Sequence, residues 1–97
     1  MKYQLIIQWR ADADDFDRLV AIEERVTARL GNSAEVDGHD FGSGEFNVFV
    51  LTEDPTTTFL LIQEVISQDQ TKVAYRELHG EDFTILWPPN SKEFSVA

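Results

Sequence analysis

Residues 35–50 read EVDGHDFGSGEFNVFV. Asp37, His39 and Asp40 place two carboxylates around an imidazole, and Glu45 follows after a glycine-rich turn. Carboxylate and imidazole oxygens and nitrogens are ligands for divalent cations, and an imidazole beside a carboxylate suits proton transfer. A tight metal site needs three or four convergent ligands. Strand alternation places Asp37 and His39 on one face and Val36 on the other. Asp37, His39 and Asp40 are thus the candidate metal ligands and His39 a candidate acid–base group. The expectation is a polar hairpin that holds no divalent ion tightly. Gly38, Gly42 and Gly44 do not spell G-x-G-x-x-G, and no Gly-Lys-Ser/Thr follows, so a phosphate loop is not indicated. Gly42 and Gly44 suit left-handed turn positions, and Gly38 suits a bulge.

Glu23 is the second candidate. At 100° per residue it falls within the apolar stripe Phe16, Leu19, Val20, Ile22, Val26 and Leu30 of a helix. A carboxylate aimed at a core must be paired, protonated or at its margin. A Glu at the helix edge, reaching water or the Tyr3 hydroxyl, is the simpler account. The alternative is a cleft between helices and sheet in which Glu23 acts as a base beside Tyr3 and Trp9. His79, in LHGED, belongs to a polar turn. No serine sits in a nucleophile-elbow context.

These residues are positioned by elements that the patterning makes plain. KYQLIIQW alternates, with Tyr3, Leu5, Ile7 and Trp9 on one face and Gln4, Ile6, Gln8 and Arg10 on the other. Residues 11–32 read as a helix capped by Asp12 or Asp14 and ended by Gly31. Residues 34–40 and 45–52 read as a hairpin joined by FGSG. Residues 53–70 read as a second helix, with Asp54 as cap and Pro55 in its first turn. Residues 71–78 form a further strand, residues 83–87 either add a short fifth strand or cross a sheet edge before Pro88 and Pro89, and the segment after them reads as a loose tail. One domain over residues 1–90 and a tail over residues 91–97 follow.

The order strand, helix, strand, strand, helix, strand resembles the split βαβ unit of ferredoxin-like α+β domains. The resemblance implies an antiparallel sheet with both helices on one face. It covers residues 2–78 and carries no specific function, because that fold hosts ligand sensors, small enzymes and inhibitor or immunity proteins alike.

Composition narrows the partners. The chain of 97 residues carries 18 acids and 8 bases, a net charge of −10. That disfavours nucleic acid and anionic membranes, and allows a basic protein surface. There is no cysteine, which excludes disulfides, thiolate metal sites and thiol catalysis. The N-terminal apolar run is too short for a signal peptide or a span, and a cytoplasmic location is the default expectation. No cofactor is implied. The helix-free sheet face carries Ile6, Gln8, Asn47, Phe49 and Leu51, a mixed surface of the kind that binds protein. The leading expectation is therefore a non-enzymatic acidic module that binds protein through this face. The partner is a second copy, as a homodimer, or a basic protein that it inhibits or confers immunity against. A small enzyme or ligand-binding domain with a cleft around Glu23 is the alternative.

Overall fold

The computed structural model describes residues 2–66 and 71–96. Five strands and two helices follow one another as β1 (Tyr3–Arg10), α1 (Phe16–Leu30), β2 (Glu35–Gly42), β3 (Glu45–Thr52), α2 (Pro55–Ile62), β4 (Thr71–Glu77) and β5 (Thr84–Trp87). They build an α+β fold. The strands form one sheet in the order β2-β3-β1-β4-β5, antiparallel throughout.

Local chemistry explains the boundaries. A 3₁₀ turn at Ala13–Asp15 precedes α1, and Asp12 caps it. The Asp12 carboxylate accepts from the Asp14 N–H at 3.0 Å, and the Asp12 N–H donates to Asp15 at 3.2 Å. This reciprocal box satisfies donors that the start of a helix leaves unpaired. Gly31, at φ 54°, ends α1 in the left-handed conformation that glycine tolerates. The β2–β3 turn is tighter than FGSG suggests. β2 runs on through Phe41 and Gly42, leaving Ser43 (φ 54°) and Gly44 (φ 77°) as the two turn residues. Two consecutive positive φ values match the twist of a two-residue hairpin. Gly42 itself is ordinary strand, contrary to the expectation of a turn position.

The regular ladder of α2 is shorter than residues 53–70. Asp54 caps it through the Thr57 N–H, and Pro55 stands in its first turn. It ends at Ile62, after which Val65 and Ile66 bond back to the Ile62 carbonyl in a looser turn. Two β-branched residues in succession weaken helical continuation there. The expected extension over residues 67–70 lies outside the described residues.

α1 packs on β2 and β3, α2 packs on β1, and the helices meet each other. Leu5, Ile7, Leu19, Val26, Val48, Val50, Ile62 and Val73 are completely buried between the layers. Each such side chain contributes roughly 1.5–3 kcal/mol relative to exposure. No described helix is long and apolar enough to cross a membrane.

Part of the opposite face is covered too. Residues 91–96 have no helix or strand, yet the Ser95 carbonyl accepts a hydrogen bond from Gln8 Nε2 at 2.8 Å. The expected loose tail is folded back on the sheet.

Candidate functional site

Glu23 and His39 meet. His39 Nδ1 lies 2.9 Å from Glu23 Oε1, with the Glu23 side chain 14% and the His39 side chain 33% exposed. A carboxylate oxygen accepts, so His39 carries its proton on Nδ1 whenever Glu23 is ionised. The imidazole of β2, rather than the expected Tyr3 hydroxyl, is the side chain that Glu23 meets.

The contact exists because β2 changes phase. Val36 pairs with Val50, but Gly38 pairs with Phe49 and His39 with Val48. An unbroken ladder would have set Asp37 opposite Phe49 and His39 opposite Asn47, on the helix-free face. The bulge at Asp37 adds one residue and reverses the alternation beyond it. Gly38 sits at φ 134°, a conformation that side-chain-bearing residues rarely adopt. His39 therefore faces the helices, which corrects the expected placement beside Asp37. Asp40 takes the helix-free position opposite Asn47.

The same reversal turns Phe41 inward. Phe16, Phe41 and Phe46 form an aromatic cluster, with ring centroids 5.3 Å apart for Phe16–Phe41 and 6.0 Å for Phe41–Phe46. The His39 ring stacks on Phe46 at 5.0 Å and 21°, and meets the Phe16 ring edge-on at 5.9 Å. The sequence signal for this was the spacing of Val36 and Phe41. Two apolar residues five positions apart can both face a core only across a phase change.

An imidazole oriented by a carboxylate and stacked on an apolar ring is a unit that can exchange a proton. Chemistry would need further groups converging on it. Asp37 and Asp40 are both exposed, and Asp40 stands on the opposite face of the sheet from His39. Among the described residues no group of three or more His, Asp or Glu side chains is placed to hold a metal ion. Two of the larger surface cavities lie elsewhere. One of about 480 Å³ is bounded by Gln8, Arg10, Lys72 and Trp87, and one of about 420 Å³ by Tyr3, Tyr75, Arg76 and Glu81. Trp9 is buried in the core and edge-on to Phe46 rather than facing a cleft. His79 is exposed beside Tyr3 and Leu78, at the far end of β1 from Arg10.

The helix-free face is organised around a buried polar pair. Gln8 and Asn47 stand opposite each other in register, and Gln8 Nε2 donates to Asn47 Oδ1 at 3.0 Å. Gln8 is 6% exposed, Asn47 1% and Ile6 2%. Ala74, the neighbour of Ile6 on β4, is completely buried. Toward the other end of this face, Arg76 donates from Nε to Gln4 Oε1 at 3.0 Å and from a terminal nitrogen to the Gly80 carbonyl at 2.8 Å. Its guanidinium lies 5.9 Å from the centre of the Phe83 ring, and Phe83 packs on Phe94 with centroids 5.0 Å apart. Phe94 and Ser95 thus run across the sheet. Of the five residues expected to form an open interface, Ile6, Gln8 and Asn47 are buried by this chain itself. Phe49 and Leu51 are half-buried. No family model, no curated protein and no solved structure matches the chain.

Proposed function

We propose that this chain is a non-enzymatic acidic interaction domain that binds a basic protein partner through the β2–β3 part of its helix-free face. The observation that carries the reading is the strip left beside the folded-back tail. Phe49 and Leu51 are adjacent on that face of β3 and only half-buried. Across the ladder, Leu51 faces the exposed Glu35, and Phe49 faces Gly38, which has no side chain to cover it. An apolar strip bordered by carboxylates fits a partner with an apolar contact ringed by Lys or Arg. The net charge of −10 favours such a partner and opposes association of two identical copies. We further assign β1 to β4 and the two helices to a ferredoxin-like split βαβ unit, with β5 added at the β4 edge. The order β2-β3-β1-β4 supports that assignment.

One observation favours the enzymatic alternative, namely the contact of Glu23 with His39. Against it, the space between helices and sheet is filled by completely buried side chains. The test is affinity capture with the wild-type chain and with Phe49→Lys/Leu51→Lys, followed by calorimetry against the purified captured protein. The reading expects a partner with a basic face, lost in the double variant and weakened about tenfold or more as salt screens the acidic rim. Equal retention by both chains, or binding indifferent to salt, would reject it.

A further inference from the structure

We infer that the cavity of about 480 Å³ at the Arg10 end of the sheet is a binding site for a small aromatic monocarboxylate. The inference is separate from protein binding at Phe49 and Leu51, neither of which borders this cavity.

Three kinds of group converge there. The first is a pair of cations. Gln8 and Arg10 share the helix-free face of β1, and Lys72 stands opposite Gln8 on β4. Arg10 and Lys72 are exposed, and among the described residues neither side chain has an ion-pair or hydrogen-bond partner. Two such cations on one cavity reverse, locally, the charge of a chain with 18 acids and 8 bases. Glu45, opposite Arg10 on β3, also borders the cavity and takes part in a further contact of the chain. Two cations and one carboxylate leave a single positive charge. That complements a monoanion better than a dianion such as phosphate.

The second is a buried acceptor. Gln8 is 6% exposed. Its Nε2 donates to Asn47 Oδ1 at 3.0 Å and to the Ser95 carbonyl at 2.8 Å, which uses both amide protons and fixes the orientation of the group. The Gln8 side-chain carbonyl has no donor among the described residues, and Gln8 borders the cavity. A shielded acceptor without a donor costs free energy, which a ligand hydroxyl or N–H would recover.

The third is an apolar wall. Trp87 and Pro88, both half-buried, close the cavity on the β5 side. An indole is a favourable surface for another aromatic ring. The volume falls within the range of small-molecule sites. A carboxylate for the two cations, a ring for the wall and a hydroxyl for Gln8 together define the ligand.

The test titrates para-hydroxyphenylacetate into the isotope-labelled full chain, followed by nuclear magnetic resonance. Saturable shifts are expected at the Trp87 indole, the Gln8 side-chain amide and the Lys72 backbone. Para-hydroxyphenylacetamide keeps the ring and hydroxyl but lacks the charge, and should bind about tenfold or more weakly. Phenylacetate lacks the hydroxyl and should bind about threefold or more weakly. Arg10→Gln/Lys72→Gln changes two exposed positions and should keep the amide spectrum of the fold. It should weaken the acid about tenfold or more while leaving the affinity for the neutral amide unchanged. Equal affinity for acid and amide, or undiminished binding of the acid by the double variant, would overturn the inference. So would shifts centred on Phe49 and Leu51, or the absence of saturable shifts at about 10 mM probe.

Discussion

At residue scale the Glu23–His39 contact has definite energetic consequences. Glu23 is largely shielded, and its carboxylate has one neighbour that can compensate it from β2. His39→Ala removes both that hydrogen bond and the ring stacked on Phe46. A destabilisation of about 1–2 kcal/mol is expected in urea titration at neutral pH. Glu23→Gln keeps an acceptor for the His39 Nδ1 proton and should cost less than about 0.5 kcal/mol. A double-mutant cycle built on Glu23→Ala and His39→Ala, which removes the contact from each side, should return a coupling of about 0.5–1 kcal/mol between the two sites. Additive effects would mean that the contact contributes nothing to stability.

The caps respond to pH with a fixed sign. The Thr57 N–H, and then the Thr57 hydroxyl, hold the Asp54 carboxyl below its ordinary range. The Asp12 N–H, and then the Arg18 guanidinium, do the same for Asp15. A carboxyl whose pKa is lower in the folded chain stabilises it above the unfolded value, and that contribution fades as pH falls through the folded one. Melting temperature should therefore drop between about pH 5 and pH 2. Asp54→Asn should flatten that drop while lowering stability at neutral pH. An acid limb identical in the variant and the wild type would exclude the cap as its source.

At element scale the strand β2 shows how much the chain's patterning reveals. β1 and β3 were legible because their apolar residues alternate without interruption, and the helix starts because Asp12 and Asp54 sit where unpaired N–H groups need acceptors. FTILW was compatible with a strand or with an edge crossing, and the structure makes it β5 beside β4. The face of His39 was not legible, because alternation gives opposite answers on the two sides of a bulge. Gly38 marked the place, but only the tertiary demand to bury both Val36 and Phe41 fixes the phase. The path of the tail was not legible for a different reason. SKEFSV is polar by composition, and what orders it is not its own pattern but the buried Gln8–Asn47 pair and the Phe83 ring it finds on the sheet. Gly38→Ala tests the bulge directly. There is open space for the added Cβ, so the penalty comes from the backbone at φ 134°. It should amount to about 1–3 kcal/mol. The variant should also weaken the protection that His39 and Phe41 receive from α1. A neutral effect would mean that β2 reaches the same pairing without the strained conformation.

At the scale of the whole molecule, charge decides how the fold and any partner respond to solution conditions. The chain carries its net charge of −10 within extents of 33 × 29 × 22 Å. The screening length is about 30 Å at 0.01 M salt and about 10 Å at 0.1 M. At the lower concentration every carboxylate therefore feels charges across the full width of the protein, and at the higher one only its neighbours. Self-repulsion opposes the compact state and is relieved on unfolding. The melting temperature should consequently rise by a few degrees between about 0.01 M and 0.1 M sodium chloride, and then level off. If the proposed basic partner binds at the β2–β3 rim, the same field would draw it in, so its association rate should fall over that range while the dissociation rate stays nearly constant. Opposite trends with salt, stability upward and association downward, are the signature of a domain whose acidity serves recognition at some cost to its own fold. A melting temperature that falls with added salt would show instead that the local pairs, such as Asp15 with Arg18, outweigh the excess of acids.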